Sequence, residues 1–418
     1  MATMRDVAQL AGVSTATVSH VVNGTKKLSP ETTEKVLMAI AEANYTPNTL
    51  AKSLRSGQTH TIGVLVEDIR GLPVAGIVSG INETLSKSGY RMILHDLHLL
   101  EKLYNQYEQI VSYRQRINNG VSLLQSSNVD GIIYVGMHDR HLDYLFDPMD
   151  TPLVFAYSHG TKQDTYVTYS NQDSAADMTR YLLSKGHERI AVIAGHPHSY
   201  PTARRMHGIQ MAMQQVGLVI PEEYIRYGNW EYESGVTETR ALLALKVRPT
   251  AIFAMNDLMA AGCMHVLNEA GLRIPEDMAV VGFDNREIAS YLQPPLTTVQ
   301  LPTTEIGTSA ALHIMEKINN PSAPPVRDII HCFIVEELNF DEFVLFTKIV
   351  LIGMMIVMKD TVSPTLEITE KGNMVYVRGK DVTRLKYTIT KDGKNVKMYA
   401  CGITVYDLSH IGHARQAI

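Results

Sequence analysis

From Thr61 onward, short apolar runs alternate with amphipathic stretches, and this alternation limits the possible folds more than any other feature. Seven runs are typical of buried parallel strands, namely TIGVLV, YRMILHDL, GIIYVG, LVFAY, IAVIAG, AIFAMN and AVVGFDN. Helical patterns such as VAGIVSGINETLSKSG and SAADMTRYLLSKG lie between them. The alternation predicts an α/β fold of doubly wound parallel sheets, with ligands outside the carboxyl ends of the strands. Because one compact sheet rarely holds this many strands, we expect two similar lobes.

The first sixty residues show an all-helical pattern instead. Val7, Leu10 and Ala11 would share the buried face of a first helix. Gly12 then permits a tight turn, and Ser14 is placed to cap a second helix. Two short helices across a glycine turn predict a helix-turn-helix, whose second helix enters the major groove of DNA. A small three-helix bundle that does not bind DNA is the alternative that the pattern leaves open.

The second and third predicted helices each have a distinct buried face. In the second helix, which would run to Asn23, the inward residues are Val18, Val21 and Val22. Its outward residues are Thr15, Ala16, Thr17, Ser19 and His20. The third helix begins at Ser29-Pro30-Glu31, where a capping serine, a proline at the first helical position and an acid in the first turn coincide. Its predicted buried stripe is Val36, Leu37, Ile40 and Ala41.

The segments RDVAQLAGVSTATVSHVVNG and NYTPNTLAKSLRSGQTHTIGVL resemble the headpiece of the lactose/galactose repressor (LacI) family, including its purine-repressor-like members. The resemblance implies a helix-turn-helix DNA-binding domain over 1–47 and a hinge helix over 48–58 that forms when two subunits pair on the operator. It also implies that Leu54 wedges into the minor groove. The DNA-contacting residues that follow are Ser14, Thr15, Ala16, Thr17, His20, Asn23, Lys26, Tyr45, Leu54 and Arg55. Among them, Thr15, Ala16 and His20 are the predicted base readers.

This resemblance continues to about residue 335 and implies a two-lobed, periplasmic-binding-protein-like effector-binding and dimerisation domain over 59–338. Matching positions place Arg205, Asp257 and Asp284 at strand ends that face the cleft. Arg205 can hold a carboxylate, a phosphate or a sugar hydroxyl, and Asp284 can accept from hydroxyls or a base edge. Asp257 can instead cap the helix that follows it. Tyr157 and Tyr200 are the candidates for stacking on a ligand ring.

The predicted pocket departs from the family pattern at two places. After the first strand the family often carries aromatic residues, whereas this chain has Leu72 and Pro73. Before the second lobe, Ser170 precedes Asn171 where an acidic residue is common. The effector therefore stays open among sugars, nucleobases and related metabolites.

Other kinds of site are disfavoured by the sequence. No glycine fingerprint follows any strand, so no nucleotide cofactor is predicted. Close histidine pairs such as His95 and His98 join no cysteine or carboxylate set with ligand-like spacing, so no metal is predicted. No Ser-His-Asp or paired-carboxylate arrangement indicates an enzyme. Three widely spaced cysteines fit a reducing compartment, and the N-terminus lacks a secretory pattern, so we expect a cytoplasmic protein.

Residues 339–418 do not continue the repressor resemblance. GKNVKMYACGITVYDLSHIGHARQAI resembles the start of cysteinyl-tRNA synthetases, which implies a zinc ligand at Cys401 and an ATP-gripping His-Ile-Gly-His motif at His410 to His413. One cysteine does not make a zinc site, and the rest of that enzyme's body is missing, so we expect an inactive tail. The apolar run FVLFTKIVLIGMMIVM, residues 343–358, is shorter than the roughly 20 residues of a spanning helix.

These features together predict a homodimeric repressor that binds a pseudo-palindromic operator and whose affinity is shifted by a small molecule. The formal net charge is −5, so DNA binding must depend on a local patch. Residues 1–60 hold six lysines and arginines against four acids, a modest excess that requires dimerisation and the hinge to supply the remaining affinity. A solute-binding protein is the first alternative, which the headpiece disfavours, and an aminoacyl-tRNA synthetase is the second.

Overall fold

The computed structural model describes residues 2–23, 26–45, 58–104, 106–142 and 144–336, together with the backbone of four strands between 367 and 400. The predicted hinge helix with Leu54 and Arg55 lies outside the described residues. So do the apolar run at 343–358 and the predicted synthetase-like residues Cys401, His410 and His413.

Three helices form the N-terminal headpiece: α1 (Met4–Ala11), α2 (Thr15–Asn23) and α3 (Pro30–Glu42). As predicted, Ser29 caps α3, and Pro30 occupies its first turn. The three helices enclose one small core of Val7, Ala8, Val18, Val36 and Ala39. Val21 and Val22 pack against it, so the inward face predicted for α2 is confirmed.

Three predicted core positions of the headpiece are wrong. Leu10 is 52% exposed and Leu37 is 54% exposed, and Ala41 is exposed as well. The face of α3 that packs inward instead comprises Val36, Ala39, Ile40 and Ala43, spaced i, i+3, i+4 and i+7. Leu37 follows Val36 by one residue and therefore points about 100° away around the helix.

The prediction of two lobes is confirmed, because the chain divides into two compact units, the first of which includes the headpiece. Unit 1 comprises Met1–Tyr169 and Thr303–Ile330. Its strands are β1 (Thr61–Val66), β2 (Arg91–Asp96), β3 (Gly131–Val135), β4 (Leu153–Ala156), β5 (Thr165–Tyr169) and β11 (Arg327–Ile330). Its helices are α4 (Val74–Lys87), α5 (Leu100–Leu103), α6 (Arg114–Ser126) and α11 (Thr303–Asn319). The six strands form one parallel sheet in the order β11-β5-β4-β3-β1-β2.

Two glycines show that helices cover both faces of this sheet. Ile62 of β1 pairs with Gly131 of β3, so their side-chain positions share one face, and Gly63 has the opposite face. A Cβ on Gly131 would lie 2.8 Å from Ile314 of α11, whereas a Cβ on Gly63 would lie 3.1 Å from Leu124 of α6. Helices α11 and α6 therefore pack on opposite faces, as a doubly wound sheet requires.

The run YRMILHDL was predicted to be a buried strand, and in this respect the prediction is wrong. It does form β2, but β2 lies at the edge of the sheet, and each of its six residues is exposed or half-buried. Ile93 and Leu94 are 36% and 37% exposed. An apolar run cannot by itself distinguish a central strand from an edge strand, because sheet order depends on the crossover connections.

Unit 2 comprises Ser170–Pro302 and His331–Ile418. Its parallel sheet has the order β7-β6-β8-β9, formed by β6 (Ile190–Ala194), β7 (Ile225–Tyr227), β8 (Ala251–Ala254) and β9 (Ala279–Val281). Its helices are α7 (Asn171–Ser184), α8 (Tyr200–Gln215), α9 (Tyr232–Leu243) and α10 (Asp257–Glu269). Because right-handed connections run both ways from β6, α8 lies on one face, and α9 and α10 lie on the other. Strand β10 (Thr298–Gln300) pairs antiparallel with β12 (Phe333–Val335).

All seven strands predicted from the apolar runs are present, and the predicted fold class is confirmed. Strands β5, β7 and β10 were not predicted; two of these have only three residues. In the tail, β13 (Glu367–Lys371), β14 (Met374–Gly379), β15 (Val382–Ile389) and β16 (Val396–Ala400) form an antiparallel sheet in chain order. Within the described residues, no helix is long and apolar enough to cross a membrane. The predicted domain boundaries near 47, 58 and 338 stay predictions.

Candidate functional site

The N-terminal turn of α2 is presented to solvent by a tight turn. Gly12 adopts φ 64°, a left-handed conformation that ends α1 without the steric cost of a side chain. Ser14 Oγ then accepts a hydrogen bond from the backbone N–H of Thr17 at 3.1 Å and so caps α2. Thr15 and Ala16 follow the cap and are exposed. Two of the three predicted base readers therefore stand at the exposed start of the second helix.

The other predicted DNA-contacting residues differ in their surroundings. Thr17 and His20 are half-buried, and the hydroxyls of Thr17 and Ser14 lie 2.9 Å apart. Lys26 is exposed, whereas Tyr45 is half-buried and packs against the headpiece core. Asn23 is the last residue of α2. The positive end of the α2 dipole carries no acidic residue in its first turn, which suits an approach to phosphate.

A polar cluster gathers at the carboxyl ends of the strands in unit 2, with Arg205 of α8 at its centre. The Arg205 side chain is 3% exposed, and its Nε donates to Asn171 Oδ1 at 2.9 Å. Its Nη1 donates to the carbonyl of Met255, which follows β8. The guanidinium carbon lies 3.5 Å from the ring centroid of Phe283, and Nη2 lies 3.7 Å from Asp284 Oδ1. Arg205 is thus fixed by three separate elements.

Asp284 follows β9 and supplies the acidic partner. Its backbone has φ 111°, which residues other than glycine rarely adopt. Burial raises its pKa to about 6, and the positive charges of Arg205 and Arg286 oppose that rise. The Arg205 and Asp284 side chains therefore bring hydrogen-bond donors and acceptors together at one edge of the sheet.

Asp257 was predicted either to contact the effector or to cap α10. The capping alternative is wrong, because Asn256 is the cap and its Oδ1 accepts from the Met259 backbone N–H at 2.9 Å. Asp257 is the first residue of the helix and is fully buried. Burial, followed by the neighbouring charge of Asp284, raises the pKa of Asp257 to about 7.

Sequence reasoning missed two aromatic members of this cluster, Trp230 and Phe283. Trp230 follows β7, is 8% exposed, and places its ring 5.7 Å from the Arg205 guanidinium carbon. Its backbone carbonyl accepts from Asn256 Nδ2 at 2.8 Å. A Cβ on Gly195 would lie 2.0 Å from the indole, so only glycine fits beside it. The one tryptophan of the chain, after a strand of unit 2, was an available signal.

The two tyrosines predicted to stack on a ligand lie in different units. Tyr157 belongs to unit 1, is buried, and stacks on Tyr169 with ring centroids 5.1 Å apart, so one face of its ring is already covered. Tyr200 belongs to unit 2, where it is the half-buried first residue of α8. Stacking on a ligand stays a prediction for both.

One histidine expectation is corrected by the structure of unit 1. His98, which the sequence left without carboxylate neighbours, lies with Asp68 and Asp96 so that one ligand-type atom of each falls within 4.8 Å of the others. Asp68 accepts from the Arg70 guanidinium at 2.9 Å and from the backbone N–H of Leu100 at 3.1 Å. These bonds, those of Arg70 first, lower the pKa of Asp68 to about 2. The buried Asp68 carboxylate is therefore held in an ion pair with Arg70.

Comparison with known proteins matches three segments of the chain to family models. Residues 3–48 match the bacterial regulatory proteins of the lacI family, and residues 179–336 match a periplasmic binding protein-like domain. Residues 388–418 match the class I (C) catalytic domain of tRNA synthetases, in agreement with the resemblance of the tail.

Curated relatives and a solved structure extend the match over most of the chain. The HTH-type transcriptional repressor PurR of Vibrio cholerae is 35% identical over 77% of this chain and 92% of its own length. The ribose operon repressor of Escherichia coli is 36% identical over 78% of this chain and 96% of its own. The lac repressor dimer bound to operator and an anti-inducer is 26% identical, covers 80% of this chain and 98% of that one, and has a TM-score of 0.64. With a lacI-type headpiece and this coverage, the chain belongs to the lacI family of bacterial regulatory proteins.

Proposed function

We propose that the chain represses transcription by binding operator DNA through the start of α2, and that a small molecule at the Arg205–Asp284 cluster shifts this binding. As a member of its family it is a DNA-binding transcriptional repressor under effector control. The observation that carries the DNA-binding part is the exposed turn at Thr15 and Ala16, held by the Ser14 cap on a small closed core. Small side chains there allow the helix to approach base edges in the major groove closely.

The chemistry of the effector cluster favours a molecule with several hydroxyls or a polar ring edge. A guanidinium supplies paired donors in one plane, and a nearby carboxylate accepts from hydroxyl or N–H groups. The flanking Trp230 ring supplies apolar surface for the face of a sugar or a base, and the buried Phe283 ring supports the guanidinium. Contacts from Tyr157 and Tyr200 are further predictions. Since one relative is named a ribose operon repressor, D-ribose is the first ligand to test.

The test uses the full-length protein and an operator selected from random duplexes. Fluorescence anisotropy would be measured with and without D-ribose or purine bases, for the unaltered chain, Arg205→Lys and the control Arg240→Lys. Arg240 is exposed and paired with Glu269 at 2.9 Å, away from the cluster. We expect Arg205→Lys to keep operator binding and lose the ligand response, whereas the control keeps both. Failure to select any preferred sequence would contradict the repressor function.

We propose that two copies pair on a pseudo-palindromic site and that 48–58 forms the hinge between the headpiece and the 59–338 effector domain. The repressor relatives support a protein that regulates transcription and catalyses no reaction, acting in the cytoplasm where the chromosome is. Cross-linking with and without operator would reveal whether dimers form. A monomer at saturating operator would contradict the pairing.

A further inference from the structure

Asp257 lies beneath the loop that carries Asp284, and both of its oxygens are engaged by the protein. Oδ1 accepts from the Thr298 hydroxyl at 2.6 Å, and Oδ2 accepts from the backbone N–H of Arg286 at 2.6 Å. The side chain is fully buried. A Cβ on Gly282 would lie 2.3 Å from Oδ1, so the backbone passes directly over the carboxylate. Little of this carboxylate is left for a ligand to contact.

The loop above it is held by three consecutive backbone N–H groups. The N–H of Asp284 donates to the carbonyl of Val299 at 2.9 Å, and that of Asn285 donates to Thr298 Oγ1 at 3.3 Å. The N–H of Arg286 donates to Asp257. Asp284 and Asn285 have φ 111° and φ 50°, and residues with side chains keep such conformations only where the surroundings impose them. These bonds supply that constraint.

We infer that Asp257 is a positioning residue, which together with Thr298 holds 284–286 so that the Asp284 carboxyl stays beside Arg205, and that Asp257 itself does not touch the effector. The inference rests on the proposed function only where it makes Asp284 an effector contact. Thr298 is central, because its oxygen accepts from Asn285 and its hydroxyl proton is directed to Asp257. A carboxylate that accepts at both oxygens matches these donors, whereas a carboxamide presents an N–H to one of them.

The experiment is hydrogen exchange with mass spectrometry on the full-length protein without ligand. Protection factors of peptides over 283–286 would be compared at one pH between the unaltered chain and the variants Asp257→Asn, Thr298→Val and Thr298→Ser. Asp277→Asn is the control, because Asp277 pairs with Arg273 at 2.8 Å in the same unit. We expect at least a tenfold loss of protection in Asp257→Asn and Thr298→Val. Thr298→Ser and the control should stay within twofold of the unaltered chain.

Two outcomes would overturn the positioning role. One is unchanged loop protection in Asp257→Asn or, if that variant does not fold, in the nearly isosteric Thr298→Val. The other applies if the unaltered chain binds D-ribose: a variant whose loop is loosened but whose affinity for D-ribose, measured by calorimetry, is unchanged. Absence of ribose binding by the unaltered chain would instead bear on the effector proposal, and the exchange data would still decide the part played by Asp257.

Discussion

A substitution at His20 tests whether a single side chain of the second helix contacts a base. His20 lies in the last turn of α2, half-buried, and is predicted to read a base edge. We expect His20→Ala to cost about 1–3 kcal/mol at one base pair and to relax specificity there. Lys26→Ala should instead weaken binding on all sequences and reduce the salt slope by about one. Competition binding against single-base operator variants measures both, and an unchanged preference in His20→Ala would refute the assignment.

Asp257 makes the stability of unit 2 depend on pH. Its pKa rises from 3.8 to about 7 on folding, so the folded state binds the proton more tightly. The contribution to stability is then complete below pH 4 and is lost as the pH rises through 7. We expect the free energy of unfolding to fall by on the order of 2 kcal/mol over this range, and Asp257→Asn to flatten the slope.

Trp230 provides the measurement, since the one tryptophan of the chain lies in unit 2 and its fluorescence reports urea unfolding there. Asp277→Asn is the control for this pH dependence of the free energy of unfolding. The Arg273 partner holds the pKa of Asp277 down at about 2, so its contribution appears above pH 3.8 and is lost only toward pH 2. If the free energy of unfolding falls as steeply between pH 4 and 7 in Asp257→Asn as in the unaltered chain, another group is responsible.

At the scale of elements, glycines determine how closely helices α4 and α11 approach. A Cβ on Gly307 would lie 2.0 Å from the Ile77 carbonyl oxygen, and one on Gly80 would lie 2.2 Å from the Thr304 carbonyl oxygen. We expect Gly307→Ala to destabilise unit 1 by about 1–3 kcal/mol, because two backbones must separate. Gly120→Ala on α6 is the matched control, since its nearest neighbours are side-chain ends that can move. Urea unfolding followed by circular dichroism compares them, and equal losses would disprove the account.

Leu54 tests the predicted hinge helix. It lies outside the described residues, and its minor-groove wedge is implied by the family resemblance. We expect Leu54→Ala to keep the fold and ligand binding but to weaken specific DNA binding, because unstacking of the kinked step is no longer compensated. Operator affinity and DNA bending in a circular-permutation gel are the measurements. If both stay unchanged, Leu54 does not act as a wedge.

At the scale of the whole molecule, the tail from 339 onward is predicted to be dispensable. Cutting after Leu338 should leave operator binding and effector response unchanged and improve solubility, because 343–358 is apolar and nearly uncharged. The synthetase match covers only 388–418, so we expect neither cysteine-dependent ATP–pyrophosphate exchange nor stoichiometric zinc. Measurable exchange, or a zinc ion lost in Cys401→Ser, would contradict an inactive tail, as would dimers that dissociate on truncation.

The sequence by itself determined the class of fold and the helix-turn-helix with its caps. These features are local: apolar periodicity, a glycine at a left-handed turn and serines before helices act within a few residues. Ser14, Ser29 and Gly12 do in the structure what their neighbours predict.

Only the tertiary structure decided which apolar residues are buried and what each polar group does. Leu10 and Leu37 are exposed because burial depends on where another helix lies, and β2 is an edge strand because crossover connections set the order of the sheet. Asp257 and Thr298 are 41 residues apart, yet their side chains are joined by a 2.6 Å bond. Contacts over such separations depend on how whole elements pack, and a one-dimensional pattern carries no record of that packing.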